Sequence, residues 1–202
     1  MNFKVIKFPG EDTTYIMPTW DEMNQLTFAI SKKMIQAKLK FDRIVTLAKG
    51  GWPMTRSMVD FLSVDKVASI GVKFYNGIYK KLKQPQVYQD LSESIKGEKI
   101  LLFDDVADSG GSLQFVEKYL QKHQPKSVTT ATLLYKPWST FKPNYYGAQT
   151  DAWIIFPYEA VDAINNLGKK WQQQGLAKAE IITRFRRLGI NPAWIKFYFQ
   201  DR

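Results

Sequence analysis

The sequence has no cysteine and a single histidine, His123. The first absence excludes a disulfide framework, a thiolate metal site and a cysteine nucleophile. The second excludes a histidine-rich metal centre and leaves Ser-His-Asp chemistry only one ring, set in a polar helix end. No apolar run approaches the ~20 residues that cross a bilayer. Met1 to Val5 lacks the apolar stretch of a signal peptide. Together these absences predict a soluble, cytoplasmic protein with no membrane partner. What is present is 202 residues, 45% hydrophobic and 24% charged. That is enough to bury a core, as one domain or as one domain with an appendage. Lys and Arg number 29 against 19 Asp and Glu, a net charge of +10. A cationic surface favours anionic partners: nucleic acid, phospholipid or a polyphosphate.

The hydrophobic pattern alternates between strand and helix periods. Thr19-Trp20-Asp21-Glu22 has the form of a capping box. Met23, Leu26, Ile30, Met34 and Ala37 then recur at helical spacing. Strands are predicted at Arg43–Leu47, Val67–Phe74, Lys99–Phe103, Ser127–Tyr135 and Ala152–Phe156. Pro53 suits the first turn of a helix carrying Met54, Met58 and Phe61. Leu113, Val116, Tyr119 and Leu120 mark another. Continuous apolar strands separated by helices predict an α/β fold: a parallel twisted sheet flanked by helices. Tyr75–Lys81 reads as a hairpin or a mobile loop. From Glu159 onward the pattern is wholly helical, with a stripe of Ile181, Ile182, Phe185 and Leu188. The expected division is a main domain over 1–158 and a C-terminal helical appendage over 159–202.

Ligands of such sheets bind beyond the carboxyl ends of the strands. The sharpest strand end is Leu101-Leu102-Phe103-Asp104-Asp105-Val106-Ala107-Asp108-Ser109-Gly110-Gly111-Ser112. Two glycines let backbone N–H groups close on an anion. Ser109 and Ser112 add hydroxyls, and the following helix start supplies unpaired N–H groups and a positive dipole end. Asp104 and Asp105 beside this cradle can accept from a diol or approach a magnesium ion. The parts describe a pocket for a sugar phosphate. A second strand end, Ala48-Lys49-Gly50-Gly51, sets a cation beside exposed backbone and suits a pyrophosphate. A third, Tyr135-Lys136-Pro137, offers an ammonium donor. The next strand offers an indole, in Asp151-Ala152-Trp153-Ile154-Ile155-Phe156-Pro157.

The aspartate segment resembles the diphosphoribosyl-binding signature of the type I phosphoribosyltransferases. Those enzymes move ribose 5-phosphate from 5-phosphoribosyl 1-pyrophosphate (PRPP) to a nitrogen base and release pyrophosphate. The resemblance spans roughly residues 41–159, and its base-recognition elements are similar to those of the 6-oxopurine branch, which takes xanthine, guanine or hypoxanthine. It implies that Asp104 and Asp105 hold the ribose hydroxyls and Mg2+. It assigns Asp108, Ser109, Gly110, Gly111 and Ser112 to the 5-phosphate, and Lys49, Gly50 and Gly51 to the pyrophosphate, in a loop that often contains a non-proline cis peptide. Asp108 would exchange a proton with purine N7, and with Lys49 would carry the catalytic work. Lys136, Trp153 and Ile154 would contact the base. A flexible loop over Tyr75–Gln84 would close on the site, with Tyr75, Lys80 and Lys81 as reaching residues. The expected partners are PRPP, a purine base and further copies of the chain in a homodimer or tetramer. The chain departs from the pattern at Lys49, an arginine in bacterial xanthine-guanine enzymes, at Tyr158 in place of tryptophan, and in its longer tail. The rival reading is a PRPP- or nucleotide-sensing regulator that binds nucleic acid through the basic tail. Its faint helix-turn-helix pattern is crowded by Ile195, Phe197 and Phe199.

Overall fold

The capping box closes as the sequence predicts. Thr19 Oγ1 accepts from the Glu22 N–H at 3.1 Å, and Glu22 Oε2 accepts from the Thr19 N–H at 2.7 Å. It starts the first long helix of a computed structural model that describes residues 3–75 and 81–201. In chain order the elements are β1 (Ile6–Lys7), β2 (Thr14–Ile16), α1 (Trp20–Gln36), β3 (Arg43–Ala48), α2 (Trp52–Leu62), β4 (Lys66–Tyr75) and β5 (Lys81–Gln89). There follow β6 (Lys99–Ala107), α3 (Gly111–Gln121), β7 (Ser127–Tyr135), β8 (Tyr145–Gln149) and β9 (Trp153–Ile154). A 3-10 turn at Pro157–Glu159 leads into α4 (Ala160–Gln173), α5 (Lys178–Leu188), α6 (Pro192–Ile195) and a π turn at Lys196–Gln200. Helix α1 buries Met23, Leu26, Ile30 and Met34, whereas Ala37 lies past its end and is exposed.

The chain forms two compact units: residues 1–22 with 151–202, and residues 23–150. The expected division at 158/159 does not coincide with this one. The tail helices pack on the first residues of the chain, so strands at both ends of the sequence share one core.

In the unit of residues 23–150, six strands run in the order β5-β4-β3-β6-β7-β8. All neighbours are parallel except β5, which pairs antiparallel with β4. Their apolar residues read as continuous runs because both faces are covered: Val45, Leu47, Ile100 and Leu102 pack with Leu113, Val116 and Leu120 of α3, and Ile44, Leu101 and Phe103, which alternate with them, are buried too. The connection from β3 runs through α2 to β4 on one side, and β6 runs through α3 to β7 on the other. The strand order therefore reverses between β3 and β6, the position where ligands of open α/β sheets bind. At the opposite end of β3, buried Arg43 binds Glu98 at 2.7 Å and Glu93 at 2.9 Å. Tyr75 and Lys81 face each other in register at the ends of β4 and β5. Lys80 and the centre of the expected closing loop lie outside the described residues.

In the other unit, β1-β2-β9 form a small sheet, β2 pairing antiparallel with β1 and parallel with β9. The expected strand Ala152–Phe156 is thus two paired residues and belongs to this sheet. Its core gathers Phe8, Tyr15, Ile164, Trp171, Ile181 and Phe185. The helix-turn-helix resemblance ends here. After α5 comes a four-residue helix that runs into a π turn, with Ile195 buried and Phe199 packed edge-on against Phe185 at 5.4 Å.

Candidate active site

Strand β6 carries its apolar run, then two carboxylates, to the carboxyl end of the sheet. Asp104 lies in register with Thr132 of β7, and β6 stays paired through Ala107. Both Asp104 and Asp105 are buried. The Asp105 N–H donates to Asp104 Oδ1 at 3.0 Å. Burial, then the Asp105 charge, pushes the Asp104 carboxyl well above the usual carboxylate range. The pair is therefore a place where added positive charge is favoured.

The turn that follows is exposed at Asp108 and Ser109. Gly110 is the N-cap of α3 at φ +82°, a left-handed conformation that glycine adopts without penalty. It also passes close to a second loop: a Cβ there would lie 2.7 Å from the Phe141 N and from Ser139 Oγ. No side chain caps α3 at its N-cap residue and its first turn holds no acid, while Ser109 Oγ accepts from the Gly111 N–H at 3.3 Å. Residues 104–110, Ser112 and Leu113 line a cavity of ≈ 220 Å³. Its donors suit a phosphate.

The end of β3 meets this segment. The Ala48–Lys49 peptide is cis and Lys49 is exposed. Gly50 passes so close to β6 that a Cβ would fall 2.6 Å from the Asp105 Cγ. This contact sits at the strand-order reversal and brings the Lys49-Gly50-Gly51 loop to the paired aspartates.

The end of β7 joins them. Lys136 is buried, and its N–H donates to the Ala107 carbonyl at 3.1 Å. The Thr140 N–H and Oγ1 both donate to the Ser109 carbonyl, at 3.1 and 2.9 Å. Trp138 Nε1 donates to Asp108 Oδ1 at 3.0 Å. Three strand ends thus converge: Lys49–Gly51, Asp104–Ser112 and Lys136–Phe141. Trp153 and Ile154 lie on β9 in the other unit, where they line a cavity of ≈ 160 Å³ with Glu159 and Asp162. The Trp153 indole is 60% exposed.

The family model of the phosphoribosyl transferase domain matches residues 19–162. The chain belongs to the phosphoribosyltransferase family. A xanthine-guanine phosphoribosyltransferase of Gluconobacter oxydans is 26% identical over 147 residues, 72% of this chain and 84% of that protein. A hypoxanthine-guanine phosphoribosyltransferase of Mycoplasma genitalium is 28% identical over 118 residues, 57% of this chain and 65% of that one. Among solved structures, a purine phosphoribosyltransferase from Pyrococcus horikoshii aligns with a TM-score of 0.64 at 29% identity, covering 71% of this chain and 93% of that chain.

Within this phosphoribosyltransferase, sequence reasoning picked out Lys136 but passed over Trp138, two residues on. The signal that could have found it is the run Lys136-Pro137-Trp138 directly after a strand end: a large indole in a polar turn has no core to enter. Phe141 and Thr140, which tie the third loop to the second, left no such signal.

Proposed function

We propose that this phosphoribosyltransferase joins ribose 5-phosphate from PRPP to N9 of a 6-oxopurine, giving a purine nucleoside monophosphate and pyrophosphate in purine salvage. The observation that carries the reading is the meeting, at the strand-order reversal, of two buried carboxylates, a phosphate cradle at a helix start and a lysine-glycine loop. A ribosyl diphosphate has a diol, a 5-phosphate and a pyrophosphate, one for each.

In the reaction the C1–O bond to pyrophosphate breaks and a C1–N9 bond forms. The base gives up one proton, and pyrophosphate leaves with the electron pair of the broken bond. Asp104 and Asp105 accept hydrogen bonds from the ribose hydroxyls. The α3 start and Ser109 to Ser112 hold the 5-phosphate. Lys49 neutralises charge growing on the leaving pyrophosphate, and the Gly50 and Gly51 backbone lies against it. Asp108 takes the proton from purine N7 as N9 reacts. Lys136, a donor without an acceptor, selects a 6-oxo over a 6-amino group. The resemblance adds Trp153 and Ile154 to the base contacts. Holding base and sugar in line supplies much of the rate, and no covalent nucleophile is required.

The paired carboxylates fit Mg2+, a hard cation that takes oxygen ligands and keeps water and substrate phosphate in its shell. Among the described residues no group of three or more His, Asp or Glu is placed to hold a metal, so PRPP and water would complete the coordination of an ion at Asp104 and Asp105. When bound, magnesium supplies charge neutralisation at the diphosphate. Among the described residues no helix is long and apolar enough to cross a membrane. We read the enzyme as cytoplasmic and as a homodimer or tetramer.

The test is a turnover panel with PRPP, magnesium and, separately, xanthine, hypoxanthine, guanine, adenine and uracil. Nucleotide formation with a 6-oxopurine and none with adenine is expected. Silence with all five bases while PRPP still binds would overturn the reading.

A further inference from the structure

The loop after β7 carries a side chain that the chemistry above does not use. Trp138 is 55% exposed, so burial does not set its position. Polar contacts do, at edge and face. Its Nε1–H donates to Asp108 Oδ1 at 3.0 Å. Its ring lies against the Lys136 ammonium, Nζ standing 5.1 Å from a ring centroid. An indole suits both neighbours at once, because its face is electron-rich and its N–H edge is electron-poor. The loop is pinned to the Asp108 segment by the Lys136 N–H on Ala107 and by Thr140 on Ser109. Asp108 Oδ2 takes no hydrogen bond among the described residues.

We propose that Trp138 is a positioning residue for the transfer: its N–H fixes one oxygen of Asp108, and its ring face aligns Lys136, so that the other Asp108 oxygen is held for the purine proton. The inference rests on Asp108 being the proton acceptor. Asp108 stands two residues before a pair of glycines, on an exposed turn where its carboxylate would otherwise rotate. A neutral N–H fixes that carboxylate without cancelling its charge, as a guanidinium in the same place would. Misalignment of a proton acceptor is felt in the chemical step rather than in PRPP binding.

Trp138→Phe keeps a ring for Lys136 and removes the N–H. It is compared with Asp108→Ala and with the double variant. The expected result is a kcat about tenfold lower in Trp138→Phe, a fraction of what general acid–base catalysis contributes, with PRPP affinity within twofold of the parent. In the Asp108→Ala background the same change has no further effect, because Trp138 acts through Asp108. An unchanged kcat, or losses that multiply in the double variant, overturns the proposal. Loss of PRPP binding in Trp138→Phe also overturns it, since the indole would then be a prop for the phosphate loop. Full turnover by Asp108→Ala is a separate result, which removes the proton-acceptor reading and the inference with it.

Discussion

Asp104 shows at the scale of one residue how a binding site is held at a cost. Burial raises its pKa, and the neighbouring Asp105 charge raises it further. An acid whose folded pKa lies above its unfolded value binds more protons folded than unfolded. Stability is therefore lost as pH rises from the unfolded pKa toward the folded one. Asp104→Asn removes that cost at neutral pH. The ligand-free variant is expected to melt roughly 2–4 °C higher than the parent at pH 7, and PRPP affinity should fall. Below about pH 4, where the parent carboxyl is protonated too, the difference should shrink. Melting curves across pH check this; a gain equal at every pH would mean improved packing rather than removed charge. The aspartates were legible in the sequence because their chemistry is written in one contiguous run. Trp138 was not, because its use depends on Asp108, thirty residues away, meeting it across two loops.

At the scale of elements, the legible parts were those with a strong period. Strands β3, β6 and β7, buried over most of their length, and helices α1 and α3, with one apolar stripe, all lie where the pattern predicts. Strand β8 escaped because Tyr145–Gln149 is half-buried and contains Gly147, so it has neither a continuous run nor a clean alternation. Strand β9 was overread: its apolar run continues to Phe156, but the chain leaves the sheet to enter the turn begun by Pro157. The first residues gave little sign that they would complete the tail's core, since β1 and β2 are two and three residues long. What binds them to α4 is Glu11, whose carboxylate accepts from Lys170 at 2.6 Å, Trp171 at 2.9 Å and Tyr15 at 3.0 Å. Burial pushes the Glu11 pKa up, but these hydrogen bonds outweigh it and hold the pKa below its ordinary value. A depressed carboxylate contributes stability that is present above its unfolded pKa and lost as pH falls through the folded one. Glu11→Gln is expected to cost roughly 2–4 kcal/mol at pH 7, with the gap from the parent narrowing in acid below about pH 4.5. Urea midpoints at pH 7 and pH 4 measure it; an equal gap at both would mean that the charge on Glu11 contributes nothing.

At the scale of the whole molecule, the charge is unevenly shared. Residues 23–150 carry 19 Lys and Arg against 10 Asp and Glu, whereas residues 1–22 with 151–202 carry 10 against 9. Residues 159–202 taken alone are basic, with 8 Lys and Arg against 4 Asp and Glu, whereas the first 22 residues bring 2 against 4 and Asp151 adds one more acid. Once they are joined, that unit is nearly neutral, a poor footprint for a nucleic-acid backbone. The net charge belongs to the unit that holds the phosphate cradle and the Lys49 loop, where it can draw in a polyanionic substrate. Raising ionic strength from about 20 to about 200 mM cuts the range of that field roughly threefold. The kcat/KM for PRPP is expected to fall several-fold across this range, while kcat and the KM for an uncharged purine stay within about twofold. Initial rates at saturating base and varied PRPP give the slope directly. A kcat/KM that ignores salt would show that the cationic surface plays no part in PRPP capture, and the excess lysines would then be solvated surface with no role in the reaction.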